Sequence, residues 1–136
     1  MEAGFLHYVR YSDTLEDSHA IGRRFRDQMR TFGEVIAEAR KKANLTQRQL
    51  AARIKTEEGR PISGPYLNDI EHNLRHPPRG YLLEQFAREL DLDVDLLYFL
   101  AKQMPIDLDT SKVSEEQAVA AYRAFRRELK GKGKKR

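Results

Sequence analysis

The sequence predicts an all-α fold: five compact helices, an extra helix near the C-terminus and an N-terminal arm. Three observations predict it. Apolar residues recur three and four apart in successive windows between Thr31 and Lys130, the period of a half-buried helix. Several windows open on a residue suited to accept from the free N–H groups of a first turn, among them Thr31, Thr46, Ser63, Asp93 and Ser114. Asparagine, glycine and proline separate the windows, no stretch reads as a strand, and no unit repeats.

Residues 1–30 form the arm. Phe5, Leu6, Tyr8, Val9 and Tyr11 suit a short extended segment, and Ile21, Phe25 and Met29, four apart, suit a short helix that Gly22 weakens. Thr31-Phe32-Gly33-Glu34 is a capping box that starts the first helix of a 31–104 domain. Phe32, Val35, Ile36 and Ala39 mark its inner face, and Asn44 ends it in the left-handed conformation. Thr46 caps a second helix, with Leu50, Ala51 and Ile54 inward. The connector 55–62 holds Gly59 and Pro61 and cannot be helical throughout.

Ser63 caps a third helix with Pro65 in its first turn and Tyr66, Leu67 and Ile70 inward. Asn73 ends it, and Pro77-Pro78 forbids continuation. Leu82, Leu83, Phe86, Ala87 and Leu90 give a fourth helix. Asp93 opens a fifth, which Pro105 closes. Residues 105–113 are a linker. Ser114-Glu115-Glu116-Gln117 is a second capping box, and it opens a last helix over 114–130 that Gly131 stops. Residues 131–136 are a basic tail.

The 136-residue chain carries a net charge of +4, and the placement is uneven. Residues 130–136 hold five cations, and Arg40, Lys41, Lys42, Arg48, Arg53, Lys55 and Arg60 outweigh Glu57 and Glu58. Residues 84–109 hold seven acids against Arg88 and Lys102. A basic front and an acidic back suit a protein with one face toward phosphates; the plain alternative is a mixed solvated surface. No apolar run nears the ~18 residues of a membrane span, no signal-peptide layout opens the chain, and cysteine is absent. These features imply a cytoplasmic protein without disulfides or thiolate metal sites.

Enzymatic and metal chemistry find little support. Gly59 and Gly64 are spaced as in a phosphate loop, but Pro65 stands where lysine is required. His72 and His76 are four apart, yet Asn73 and Pro77 break the helix they would share, and no third ligand is evident. No cofactor, metal or catalytic residue is expected.

The spacing of the five helices resembles the phage-repressor, Cro and Xre-like helix-turn-helix family over about residues 32–100. The resemblance is carried by Leu45-Thr46-Gln47 with Leu50-Ala51, by Ser63, Tyr66-Leu67 and Ile70-Glu71, by Pro77-Pro78, and by Leu82, Phe86-Ala87, Leu90 and Asp95-Leu96-Leu97. It implies a lambda-repressor-like domain that binds double-stranded DNA, with helix 63–72 in the major groove. Thr46 and Gln47 would meet phosphate at the start of the second helix, and Arg75 and Arg79 would do so in the turn after the third. Arg40 and Glu71 fall where the family often has a buried bridge; the plain alternative is two surface charges.

Two departures stand out. The connector is longer than the family's by several residues. The usual base-reading positions align with Gly64 and Pro65, which have no side-chain donor. Ser63, Asn68 and Asp69 remain as groove candidates, and Lys55 and Arg60 could supply contacts from the connector. The expected activity is that of a sequence-specific transcriptional regulator, most simply a repressor, binding as a homodimer. Ala118, Tyr122, Phe125 and Leu129, spaced four, three and four, offer a dimer seam, unless that helix packs back on its own domain. The alternative is an antitoxin-like partner, or a repressor removed by a companion protease, with the last helix as the partner segment.

Overall fold

A computed structural model describes residues 29–134. It contains α1 (Phe32–Lys42), α2 (Gln47–Arg53), α3 (Gly64–Glu71), α4 (Gly80–Leu90), α5 (Val94–Ala101), a short 3-10 turn (Thr110–Lys112) and α6 (Glu115–Lys134). Strand-like pairing among the described residues is confined to one isolated bridge, Lys55 with Pro61. The arm or helix expected over residues 1–30 lies outside the described residues, except for Met29 and Arg30, as do residues 135–136 of the tail.

The helix starts follow from side-chain chemistry. Thr31 Oγ1 accepts from the Glu34 N–H while the Glu34 carboxylate accepts from the Thr31 N–H. Thr46 with Gln49, and Ser114 with Gln117, make the same reciprocal pair. Each box satisfies two donors that a helix N-terminus leaves free. The ends are as regular. Asn44, Asn73, Asp91 and Lys102 all sit in the left-handed region, with φ between 54° and 59°. The residue after each donates back five positions, as Leu45 does to the Arg40 carbonyl at 3.1 Å and Leu74 to the Asp69 carbonyl at 2.8 Å. α5 therefore stops at Ala101, before Pro105 is reached.

One apolar cluster joins the first five helices. Val35 and Ile36 of α1, Leu50 and Ala51 of α2, Leu67 and Ile70 of α3, Leu83 and Phe86 of α4, and Leu97 of α5 are all buried in it. α3 lies against both α1 and α2, and α4 packs on α5. The approach of α1 to α3 depends on Gly33. A Cβ there would stand 2.4 Å from the Ile70 carbonyl oxygen and 2.5 Å from that of Glu71. Tyr98, in the apolar run of α5, is buried too, and its hydroxyl donates to Glu84 at 2.8 Å. Burial and that carboxylate hold its phenol above the usual tyrosine range.

α6 differs from the expected 114–130 span. It runs through Gly131 to Lys134. A glycine inside a helix costs only ~1 kcal/mol against alanine, and a stop also needs a left-handed residue with its back-bond. Gly131 is not in that conformation.

Candidate nucleic-acid interface

The buried side of α3 is held by a polar clamp. Arg40 Nε donates to Glu71 Oε2 at 2.6 Å and Nη2 to Oε1 at 3.0 Å. Arg40 Nη1 also donates to the Leu45 carbonyl at 2.8 Å, which ties α1, the turn before α2 and α3 to one guanidinium. The two side chains are only 11% and 3% exposed, so they form a buried fork-to-fork pair. Gln47, the first residue of α2, donates to Glu71 Oε1 at 2.9 Å and to Asn68 Oδ1 at 3.2 Å. Its amide thus links α2 to α3 inside the protein. A phosphate contact from Gln47 has to share donors already pointed at Glu71 and Asn68.

The far end of α3 is fastened by Asn73. Its Oδ1 accepts from the Gly33 N–H at 3.2 Å and its Nδ2 donates to Thr31 Oγ1 at 3.0 Å. One asparagine therefore ends α3 and braces the start of α1.

With Leu67, Ile70 and Glu71 turned inward, Pro65, Asn68, Asp69 and His72 share the open side of α3. Ser63 caps the helix, its Oγ accepting from the Tyr66 N–H at 3.1 Å. Gln47 takes the Asn68 oxygen as acceptor, so the Asn68 NH2 keeps its two donors. Asp69 pairs with Arg75 at 3.4 Å, and the Arg75 guanidinium lies 5.6 Å from the Tyr66 ring centroid. The Tyr66 phenol is raised by burial, against the opposing field of Arg75. His72 Nδ1 is 2.9 Å from the Asn68 carbonyl, so Nδ1 carries the proton and Nε2 is the open nitrogen. Gly64, at the start of α3, has nothing within 4 Å of where a Cβ would stand, and its φ is not left-handed. The fold itself does not require glycine there.

The long connector does not push α2 and α3 apart. The Ile62 N–H donates to the Ile54 carbonyl at 2.9 Å, and both isoleucines are buried. The residues between them loop out as a small hairpin. The Thr56 N–H donates to the Arg60 carbonyl at 2.7 Å, and Gly59 supplies the left-handed turn at φ 87°. Gln85 of α4 pins its base, accepting from the Lys55 N–H at 2.9 Å and donating to the Lys55 carbonyl. Lys55 and Arg60 are exposed on this hairpin, together with Glu57 and Glu58.

Arg79 is exposed at the N-cap of α4, where its side chain makes no capping bond. Ala118, Tyr122, Phe125 and Leu129 belong to a second surface, on α6. Among the described residues, no group of three or more His, Cys, Asp or Glu side chains is placed to hold a metal ion. No helix of the described residues is long and apolar enough to cross a membrane.

Gln85, Asn73 as a brace, Gly33 and His72 on the open side of α3 carried no role in the sequence reading. A polar residue within the apolar run 82–87 could have flagged Gln85, and a glycine in an otherwise regular first turn could have flagged Gly33. The bonds of Asn73 to α1 leave no local signal.

A short helix packed on a second, with the second helix's polar side open to solvent, is the arrangement of a helix-turn-helix domain. Comparison with known families bears this out: residues 36–97 match the family model described as Helix-turn-helix, and this segment is a helix-turn-helix domain of the phage-repressor and Xre-like kind. That family is one of DNA-binding regulatory domains. Neither a curated protein nor a solved structure matched the chain.

Proposed function

We propose that the protein is a sequence-specific transcriptional regulator, most simply a cytoplasmic repressor, that binds double-stranded DNA as a homodimer. α3 enters the major groove and α2 rests across the phosphates, a docking that the groove's ~12 Å width permits. The observation that carries this reading is the orientation of α3. The Arg40–Glu71–Gln47 clamp fixes one side of the helix inside the domain and leaves Pro65, Asn68, Asp69 and His72 on the other.

In this reading Asn68 is the principal base reader. Its two free amide donors, with the oxygen's second lone pair, suit the edge of a base pair. Ser63 and Asp69 contribute at the groove's walls. Gly64 and Pro65 let the DNA approach the start of α3 closely. Thr46, Gln47, Arg75 and Arg79 position the domain on the backbone, with Lys55 and Arg60 reaching from the hairpin. Such contacts provide affinity without sequence information.

A mobility-shift titration with the DNA upstream of the protein's own reading frame tests this. Saturable binding that survives competitor DNA is expected. With about six phosphate contacts per dimer, log K falls against log salt with a slope of about −5. Binding without preference for any sequence contradicts the reading, and so does a tight complex with another protein and no DNA affinity.

A further inference from the structure

α6 carries an apolar stripe that the helices of its own domain, among the described residues, leave about half exposed. Tyr122, Phe125 and Leu129 are 57%, 48% and 56% exposed. Among the described residues, the helix meets the body where the Phe125 and Phe99 rings lie 6.3 Å apart and where the Tyr122 hydroxyl stands 3.7 Å from Met104 Sδ. Between α6, the end of α5 and the turn after α3 runs an apolar groove of about 1140 Å³. Asn73 and Arg75 lie on its rim. A stripe of four large or small apolar residues at spacings of four, three and four is the seam of a helix pair, not of a solvated helix.

The charges along α6 choose the occupant. Glu115 and Glu116 stand at its N-terminal end. Arg123, Arg126, Arg127 and Lys130 cluster around one patch of its C-terminal half. Side by side in the same direction, two copies would bring the two basic clusters together. Running in opposite directions, each acidic end meets the other's basic half. The seam then matches by size as well: Ala118 faces Leu129 of the second copy, and Tyr122 faces its Phe125, in both directions.

We infer that α6 is the dimer element, and that two copies pair through it antiparallel, each stripe covering the other's Tyr122 and Phe125 and the adjoining Phe99. This deepens the proposed function, resting on the reading that the protein acts as a pair.

The chain has no cysteine, so single cysteines report cleanly. Ala118→Cys, Leu129→Cys and an equal mixture of the two are oxidised without DNA and resolved on a non-reducing gel. A covalent dimer is expected in the mixture and not in either variant alone. In the antiparallel pair the two copies of one position sit ~16 Å apart along the axis, far beyond the ~7 Å a disulfide spans. Cross-linking of each variant alone as readily as the mixture overturns the antiparallel pair. A sedimentation profile that is monomeric, or dimeric without cross-linking, overturns α6 as the element. Leu129 is exposed and Ala118, half-buried, gains only one sulfur atom as cysteine, so the variants keep the fold. As a second arm, the Glu115→Lys, Glu116→Lys double variant is expected to raise the dimer dissociation constant at least tenfold; an unchanged constant contradicts the charge matching. Because these readouts need no DNA, loss of DNA binding with the cross-link intact sinks only the DNA reading.

Discussion

The seam between α1 and α3 and the open stripe of α6 are opposites. In the seam, polar groups are partnered: Arg40 and Glu71 pair in the interior, half-buried Gln47 and exposed Asn73 bond to neighbouring elements, and Gly33 leaves no room for a methyl group. On α6, apolar groups are outside: Val119, Tyr122, Phe125 and Leu129 are each about half exposed or more. The seam is complete within one chain. In the proposed pair a second copy completes the stripe, because large apolar side chains gain little by facing water. Substitutions in the seam should act on folding, and those on α6 should act on association.

The largest effect is expected from Glu71→Ala. It strands a buried guanidinium and removes an acceptor of Gln47, and losing one partner of such a pair costs ~3–5 kcal/mol. Urea denaturation of the purified variant measures this; a loss below ~1 kcal/mol would mean the pair is solvated in solution. Next comes Gly33→Ala. Its methyl group collides with two backbone carbonyls that cannot move independently, so a loss of ~1–3 kcal/mol is expected in the same assay. A neutral result would show that α1 and α3 are not in close contact.

At the small end, a Tyr122→Ser, Phe125→Ser variant should hold monomer stability to within ~0.5 kcal/mol, as exposed substitutions usually do. Sedimentation should nevertheless show it monomeric at concentrations where the parent is paired. Unfolding of the variant would mean that the stripe belongs to its own domain after all, and the contrast between the two regions would fail.

Much of the fold was legible in the sequence because its signals are local. The capping boxes at Thr31 and Ser114, the left-handed Asn44 and Asn73, and the apolar period of α1, α3 and α4 each depend on residues within a turn or two. Three features were not legible. The hairpin of the connector depends on Ile54 meeting Ile62 in the core and on Gln85, some thirty residues away. Gly131 looked like a stop, but a helix end needs a back-bonded partner and not only a weak helix former. Gln47 stood where a phosphate contact is expected by resemblance, yet its amide is directed to Glu71 and Asn68, which no spacing rule foretells. The candidate readers shared that limit: Asn68 and His72 acquire a common open side only once Leu67 and Ile70 are buried.

In the proposed function the open side of α3 reads bases while the turn after it holds phosphate. The most direct test compares Asn68→Ala and Arg79→Ala by fluorescence anisotropy, on the upstream DNA and on a scrambled duplex at one salt concentration. Asn68→Ala should lower affinity for the upstream site by ~1–3 kcal/mol, about one to two orders of magnitude, and leave scrambled DNA nearly unaffected. Arg79→Ala should weaken both alike. A uniform loss in Asn68→Ala, or a changed sequence preference in Arg79→Ala, would contradict the assignment.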